Sequence, residues 1–334
     1  MHVLAVSGLH VGIIYLMLNY ILIVFDSLPH GRLMKLGMIV LLLWLYACVT
    51  GLPSSVIRAC TMFSFVAIGT TLQRSNHIYS SIVTSLLLLL LVNHFLITQV
   101  GFQLSYAAVI GIVFLQPRLY NLFPQSRYWL VDKIWAITAV SIAAQVSTFP
   151  LTIFYFNQFP TYFMVSNLVV IPAAMLIVPT GFGFFALKGL GLEVIGHYAG
   201  NVLDIFLQIL NYLISQVEAL PYSLIDQLYI TTPSFYLIYA VIIGLSTGMA
   251  LQNKALLFSG LLAAAGALGL MNYRSWQQQD LKQLAYLKID NHTVPAALGA
   301  DHAVLRGPEQ VLNQQKQVKF FTYRFLWSNG LDTA

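Results

Sequence analysis

Run after run of this chain is apolar for long enough to cross a bilayer, and nothing else in it narrows the possible folds so far. A spanning helix needs about 20 predominantly apolar residues. Such runs cover His2–Phe25, Leu33–Thr50, the segment after Gly51-Leu52-Pro53 to about Leu72, and Ile78–Ile97. Further runs cover Lys133–Phe156, Tyr162–Leu187, Ser234–Leu251 and Ala255–Met271. Val100–Leu115 is less apolar and reads as a span or a half-inserted helix. Composition agrees: 58% of the 334 residues are hydrophobic and only 8% are charged. A soluble domain carries roughly a quarter charged residues, so this chain lacks the charge to cover a water-facing surface. The expected fold is an all-α polytopic membrane protein of about ten transmembrane or half-inserted helices, with the lipid bilayer as its solvent.

From Asn272 the character changes, with Gln277, Gln278, Gln279, Asp280 and Lys282 opening a polar stretch. Leu284–Ile289, His302–Leu305 and Val318–Tyr323 read as short strands. The expected division is residues 1–271 as a transmembrane part and 272–334 as a small soluble appendage. Met1 is followed directly by His2 and an apolar run, with no basic segment. No cleavable signal peptide is expected, and the chain is expected to begin inside a structural element. Cys48 and Cys60 lie in apolar stretches and read as buried free thiols.

Charge sets an orientation. Numbered along the chain, the odd connections carry Arg32 and Lys35, then Arg74, then Arg118, Arg127 and Lys133, then Lys188, then Lys254. The even connections are nearly free of Lys and Arg. The bias places the odd connections in the cytoplasm and both ends of the bundle outside it.

Leu192–Val217 differs from its neighbours. Glu193, His197, Asn201, Asp204, Gln208 and Asn211 recur at intervals of three and four, on one helix face. Either this helix lies in the membrane interface or its polar face lines a pore.

Four motifs bear polar groups inside apolar runs. In His2–Gly12, Ser7 and His10 share a face, and Gly8 with Gly12 forms a GxxxG that admits a close helix. In Pro53–Ala59, Arg58 sits one turn inside a span; it either snorkels to the nearby end or is a fixed positive charge at a pore mouth. In Gly101–Ala108, Gln103, Ser105 and Tyr106 follow Phe102. They suit an interfacial belt or a path for bases and sugars. Finally, Gln145 and Ser147 precede Pro150, and Asn167 precedes Pro172. With Pro53, these prolines read as helix breaks, and paired breaks mark many translocation paths.

In type and order, HVLAVSGLHVG, PSSVIRA, GFQLSYAA, QVSTFPL and SNLVVIP resemble the competence domain of the ComEC family, over roughly residues 1–270. The resemblance implies a polytopic inner-membrane protein that passes one strand of incoming DNA to the cytoplasm during natural transformation. It implies single-stranded DNA as cargo, a periplasmic DNA receptor and a cytoplasmic helicase-like ATPase as partners, and allows a homo-oligomer as the working form. Candidate path residues are then Ser7, His10, Arg58, Gln103, Ser105, Tyr106, Gln145 and Asn167. The chain departs from the family pattern in two places. Where the resemblance implies an OB-like domain near the N-terminus and a metallo-β-lactamase-like domain at the C-terminus, this chain starts at the first motif, and its tail has no HxHxDH run, since His292, Asp301 and His302 stand apart. No catalytic residue, metal site or cofactor is therefore expected, and no P-loop suggests an ATP-driven motor. Without the resemblance, a small-solute transporter or a lipid-precursor flippase fits the polar faces equally well. A rhomboid-like serine hydrolase built on Ser7 is the third alternative, with Ala5 where a glycine would stand.

Overall fold

In a computed structural model, the described residues are 8–71, 78–123, 127–226, 228, 230–278, 283–289, 292–298 and 303–305. Among them ten α-helices follow in order: α1 Gly8–Ile21, α2 Gly31–Val49, α3 Ser54–Thr71, α4 Ile78–Val92, α5 Val100–Tyr120, α6 Trp129–Phe156, α7 Phe163–Gly189, α8 Glu193–Glu218, α9 Thr232–Leu251 and α10 Lys254–Gln278. Seven are long and apolar enough to cross a membrane: α1 with its 3-10 extension to Ser27, then α2, α3, α5, α6, α7 and α9. The chain is thus an all-α, multi-pass membrane protein. α5 is a continuous helix of 21 residues, long and apolar enough to cross. α4 ends at Val92, and a 3-10 turn, His94–Thr98, takes up the remainder of that apolar run.

Two compact units divide the described residues. The first lies within residues 1–145 and 162–223, the second within 146–161 and 224–334.

In the first unit the most apolar span is the most exposed, the reverse of a water-soluble fold. α7 has a mean hydropathy of 2.1 and only 6% of its window buried. α3 has the lowest value, 1.2, and 44% buried. Lipid accepts apolar side chains, so polar ones retreat into the protein. α3 is therefore the central helix. On one side its Val56, Ala59, Cys60 and Ala67 pack with Val11 and Ile14 of α1 and Ile39, Leu43 and Ala47 of α2. On another, its Ile57 and Met62 meet Ile82 and Leu89 of α4 and Phe102 and Tyr106 of α5. Hydroxyls in these helices turn back on their own backbone, as Thr61 Oγ1 does to the Ile57 carbonyl at 2.8 Å and Thr71 Oγ1 to that of Ala67 at 2.9 Å. That local return satisfies a polar group without water.

One close approach needs glycine, and a second is tight. A Cβ at Gly31 would fall 1.6 Å from the Phe25 carbonyl oxygen, so the tight entry to α2 excludes any other residue. A Cβ at Gly12 would come 3.1 Å from the Phe63 ring, and one at Gly8 3.6 Å from Ala59 Cβ, so this face of α1 lies against α3.

α8 returns antiparallel along the whole of α7. At one end Gly200 lies against Phe184 and Gly196 against Lys188. At the other, the Tyr162 hydroxyl, at the start of α7, donates to the Pro221 carbonyl just past α8 at 3.1 Å.

In the second unit α9 and α10 form a close hairpin. A Cβ at Gly244 would lie 2.9 Å from Gly260 Cα, and one at Gly248 2.8 Å from the Leu257 backbone nitrogen. Two short strands, β1 Phe159–Pro160 and β2 Leu224–Ile225, pair antiparallel. Next to them the Asn157 amide donates to the Leu228 carbonyl at 2.9 Å. Past α10, β3 Gln283–Ile289, β4 His292–Leu298 and β5 Ala303–Leu305 form an antiparallel sheet in the order β3-β4-β5. The expected strand at Val318–Tyr323 lies outside the described residues.

The prolines need a correction. Pro150 sits inside the continuous helix α6, and Pro172 with Pro179 inside the continuous helix α7, so none of them ends its helix. Proline removes one N–H and crowds the preceding turn. In a membrane the freed carbonyl needs another donor. The carbonyl freed by Pro150 is that of Val146; the next one along, of Ser147, accepts from the Tyr239 hydroxyl at 3.0 Å. Pro53 lies between helices: its carbonyl accepts from the backbone of Val56 at 2.9 Å and of Ile57 at 3.1 Å, opening α3.

Candidate functional site

Three sequence motifs converge on the first turns of α3. Ala59 meets Gly8 of α1. Arg58, one residue earlier and so about 100° around the helix, faces α5, with its guanidinium carbon 5.9 Å from the centre of the Phe102 ring. Phe102 and Tyr106, one turn apart on α5, have ring centroids 4.7 Å apart. The Tyr106 hydroxyl lies 3.2 Å from Ser85 Oγ of α4. Ser85 already donates to the Ile82 carbonyl at 2.8 Å, so the phenol is the donor to it.

This cluster is enclosed. Arg58 is 7% exposed, Phe102 2%, Tyr106 8% and Ser85 0%. Arg58 therefore does not snorkel to water. Its Nε and Nη1 have no hydrogen-bond partner among the described residues, and neither does the buried hydroxyl of Ser64 on the same helix. A buried guanidinium with spare donors has a strong affinity for an anion, because burial makes an unmatched charge costly.

The other candidates lie apart. Gln103 shares a helix with Tyr106, but its amide donates to the Ile97 carbonyl at 2.8 Å and so caps the turn before α5. Ser105 is half-buried on the same helix, and His10 is half-buried on α1. Gln145 on α6 and Asn167 on α7 are half-buried too, and neither hydrogen-bonds to the Arg58 cluster. Ser7 lies outside the described residues. Ser85 was not anticipated from sequence. Its signal was the i, i+4 pair Ser81 and Ser85 on one face of α4, both of them buried.

At the opposite end of α3 a polar cavity is lined by Asn19, Arg32, Lys35, Thr70 and Thr71, among others. Lys35 is paired with Asp26 at 2.9 Å, and no other ion pair occurs among the described residues. About 12 residues of α3 separate Arg58 from this cavity, roughly 18 Å of helix. Of the thiols, Cys60 is buried and donates to the Leu43 carbonyl at 3.3 Å. Cys48 is exposed, contrary to expectation, because its face of α2 turns away from α3.

No group of three or more His, Cys, Asp or Glu side chains among the described residues is placed to hold a metal ion.

A family model described as "Competence protein" matches residues 1–255. ComE operon protein 3 of Bacillus subtilis (strain 168) is 32% identical over 178 residues, which is 53% of this chain and 21% of that protein. The matched stretch thus spans about a fifth of that relative's length. No solved structure matches. The family match covers every motif that meets at α3, from Gly8 to Tyr106, and it agrees with the resemblance to the ComEC family. The chain belongs to the competence protein family.

Proposed function

We propose that this chain takes part in DNA uptake during natural transformation, as the inner-membrane route by which a single strand reaches the cytoplasm. Family membership supports the process, and the buried, incompletely partnered guanidinium of Arg58 supports the cargo. A DNA backbone supplies what that group lacks, a phosphate anion with several acceptors. Phe102 and Tyr106 offer ring faces on which bases of any sequence stack.

On this reading Arg58 lies near the outer end of α3, and the cavity with Arg32 and Lys35 lies near the cytoplasmic end, following the charge bias of the connections. Both ends of the helical bundle then face outward, and the polar segment 272–334 is an appendage on that side. Phe102 and Tyr106 cover the charge at rest, and passage of a strand requires α5 to move off α3. His10, Ser105, Gln145 and Asn167 are further candidates for the route, and so is Ser7. A periplasmic DNA receptor would deliver the strand. Because the sequence holds no P-loop, a cytoplasmic helicase-like ATPase would pull it.

The experiment is transformation frequency with Arg58→Ala, Arg58→Lys and wild-type chains at matched membrane levels. A loss of transformation with Arg58→Ala, partly restored by Arg58→Lys, is the expected result. Wild-type transformation by Arg58→Ala would remove Arg58 from the route.

A further inference from the structure

The cavity at the far end of α3 from Arg58 is lined by charge of both signs over an apolar base. Arg32, Lys35 and Asp26 bring the charges, and Leu36, Ile39 and Ala67 form the base. Its volume is about 280 Å³. Pockets for organic ligands run to about 300–1,000 Å³, so this one takes a small polar group and little more.

Its polar groups divide by what they can bind. Arg32 makes no hydrogen bond or ion pair among the described residues, so its guanidinium is open to an anion. It stands in the first turn of α2, where the positive end of the helix dipole adds to its charge. Thr70 and Thr71 each donate their hydroxyl hydrogen to the Ala67 carbonyl, both at 2.9 Å, and so meet a ligand as acceptors. They close α3, which brings the negative end of its dipole to the same cavity. Asp26 accepts from Lys35 on Oδ2 at 2.9 Å and keeps Oδ1 for another donor. One part of the cavity thus calls for an anion and the other for N–H donors. A phosphorylated amine carries both in one small group.

A strand of DNA meets only half of this demand, since its backbone has phosphates but no ammonium. Of the lining residues only Tyr15 is aromatic, and its ring is already stacked on Phe63 at a centroid distance of 5.2 Å. The surroundings favour a lipid. Ile21, Ile23 and Val24, just before Asp26, are more than half exposed, and so are Leu33 and Met34, just after Arg32. Apolar surface for acyl chains therefore borders charged side chains at this cavity, as it does at the headgroup level of a bilayer.

We propose that this cavity is a site for the headgroup of an aminophospholipid, with the phosphate on Arg32 and the ammonium toward Asp26, Thr70 and Thr71.

The test titrates the delipidated full chain in detergent with phosphatidylethanolamine, phosphatidylcholine and phosphatidylglycerol, counting bound lipid by native mass spectrometry. Phosphatidylethanolamine should bind first, because the choline headgroup has no N–H and the glycerol headgroup no positive charge. Arg32→Gln should weaken it about tenfold, the weight of one charge-assisted hydrogen bond. Asp26→Asn should erase its lead over phosphatidylglycerol. Equal binding of the three lipids, or binding unchanged by Arg32→Gln, overturns the proposal. Two further arms can overturn it as well. Free phosphoethanolamine binding as tightly as the lipid would make the ligand a soluble metabolite. A single-stranded oligonucleotide that displaces the lipid, and loses that ability with Arg32→Gln, would give the cavity to the DNA. The readout is bound lipid, so it stands or falls separately from the role of Arg58 in DNA uptake.

Discussion

Replacing Arg58 by methionine should make the protein more stable and less active. Nε and Nη1 of Arg58 are buried without partners among the described residues, and an unsatisfied buried donor costs about 1–3 kcal/mol. The contact with Phe102 at 5.9 Å returns about 0.5–2 kcal/mol. Methionine fills nearly the volume of the arginine stem, adapts to the Phe102 face and brings no donors. The expected gain is about 1–4 kcal/mol, the range found when buried charges are exchanged for apolar residues of similar volume. Cys60 supplies the assay: it is 0% exposed on the same helix, and its thiol reacts only when α3 opens. In a Cys48→Ser background, a thiol-reactive dye should report an unfolding midpoint a few degrees higher for Arg58→Met, while transformation falls. A lower midpoint would refute the reasoning, because it would mean that the charge is already compensated at rest.

Other substitutions test the packing. Ser85→Ala should cost about 1 kcal/mol by stranding the Tyr106 hydroxyl, and Tyr106→Phe added to it should cost little more; additive losses in the same thiol assay would deny the bond. Gly248→Val should cost about 1–3 kcal/mol or more, because its Cβ would sit 2.8 Å from the Leu257 backbone nitrogen. Gly37→Ala, with nothing within 4 Å of the added Cβ, should change stability by no more than about 0.5 kcal/mol. A comparable loss at Gly37 would mean that the close α9–α10 approach is not what makes Gly248 special. In the folded wild-type chain a maleimide should modify Cys48 and spare Cys60; modification of both would deny the enclosed centre of α3.

Spans were legible because a bilayer makes length and apolarity nearly sufficient for a helix. α5 was the ambiguous case. Gln103, Ser105 and Tyr106 lower the hydropathy of its first turns, yet Phe102 and Tyr106 are core residues there. The prolines misled for a related reason. The loss of an N–H at Pro150 is visible in sequence, but the hydroxyl that answers a nearby carbonyl comes from Tyr239, 92 residues away from Ser147. Helix faces were legible as well, including the polar face of α8, because the period of 3.6 is local. What no local pattern could give is which faces meet. Tyr106 and Gln103 are three residues apart, yet one reaches Ser85 on α4 and the other turns back to Ile97. Similarly, an arginine one turn inside a span reads as a snorkelling candidate until Phe102 is seen to cover it.

The role proposed for this chain is to carry DNA across the inner membrane. Its most direct test is the delivery of fluorescent DNA in cells lacking the gene, with transformation frequency scored alongside. If the chain has this role, DNA binds the cells or enters the periplasm, does not reach the cytoplasm, and yields no transformants until the gene is restored. Normal cytoplasmic delivery and normal transformation without the gene would contradict it.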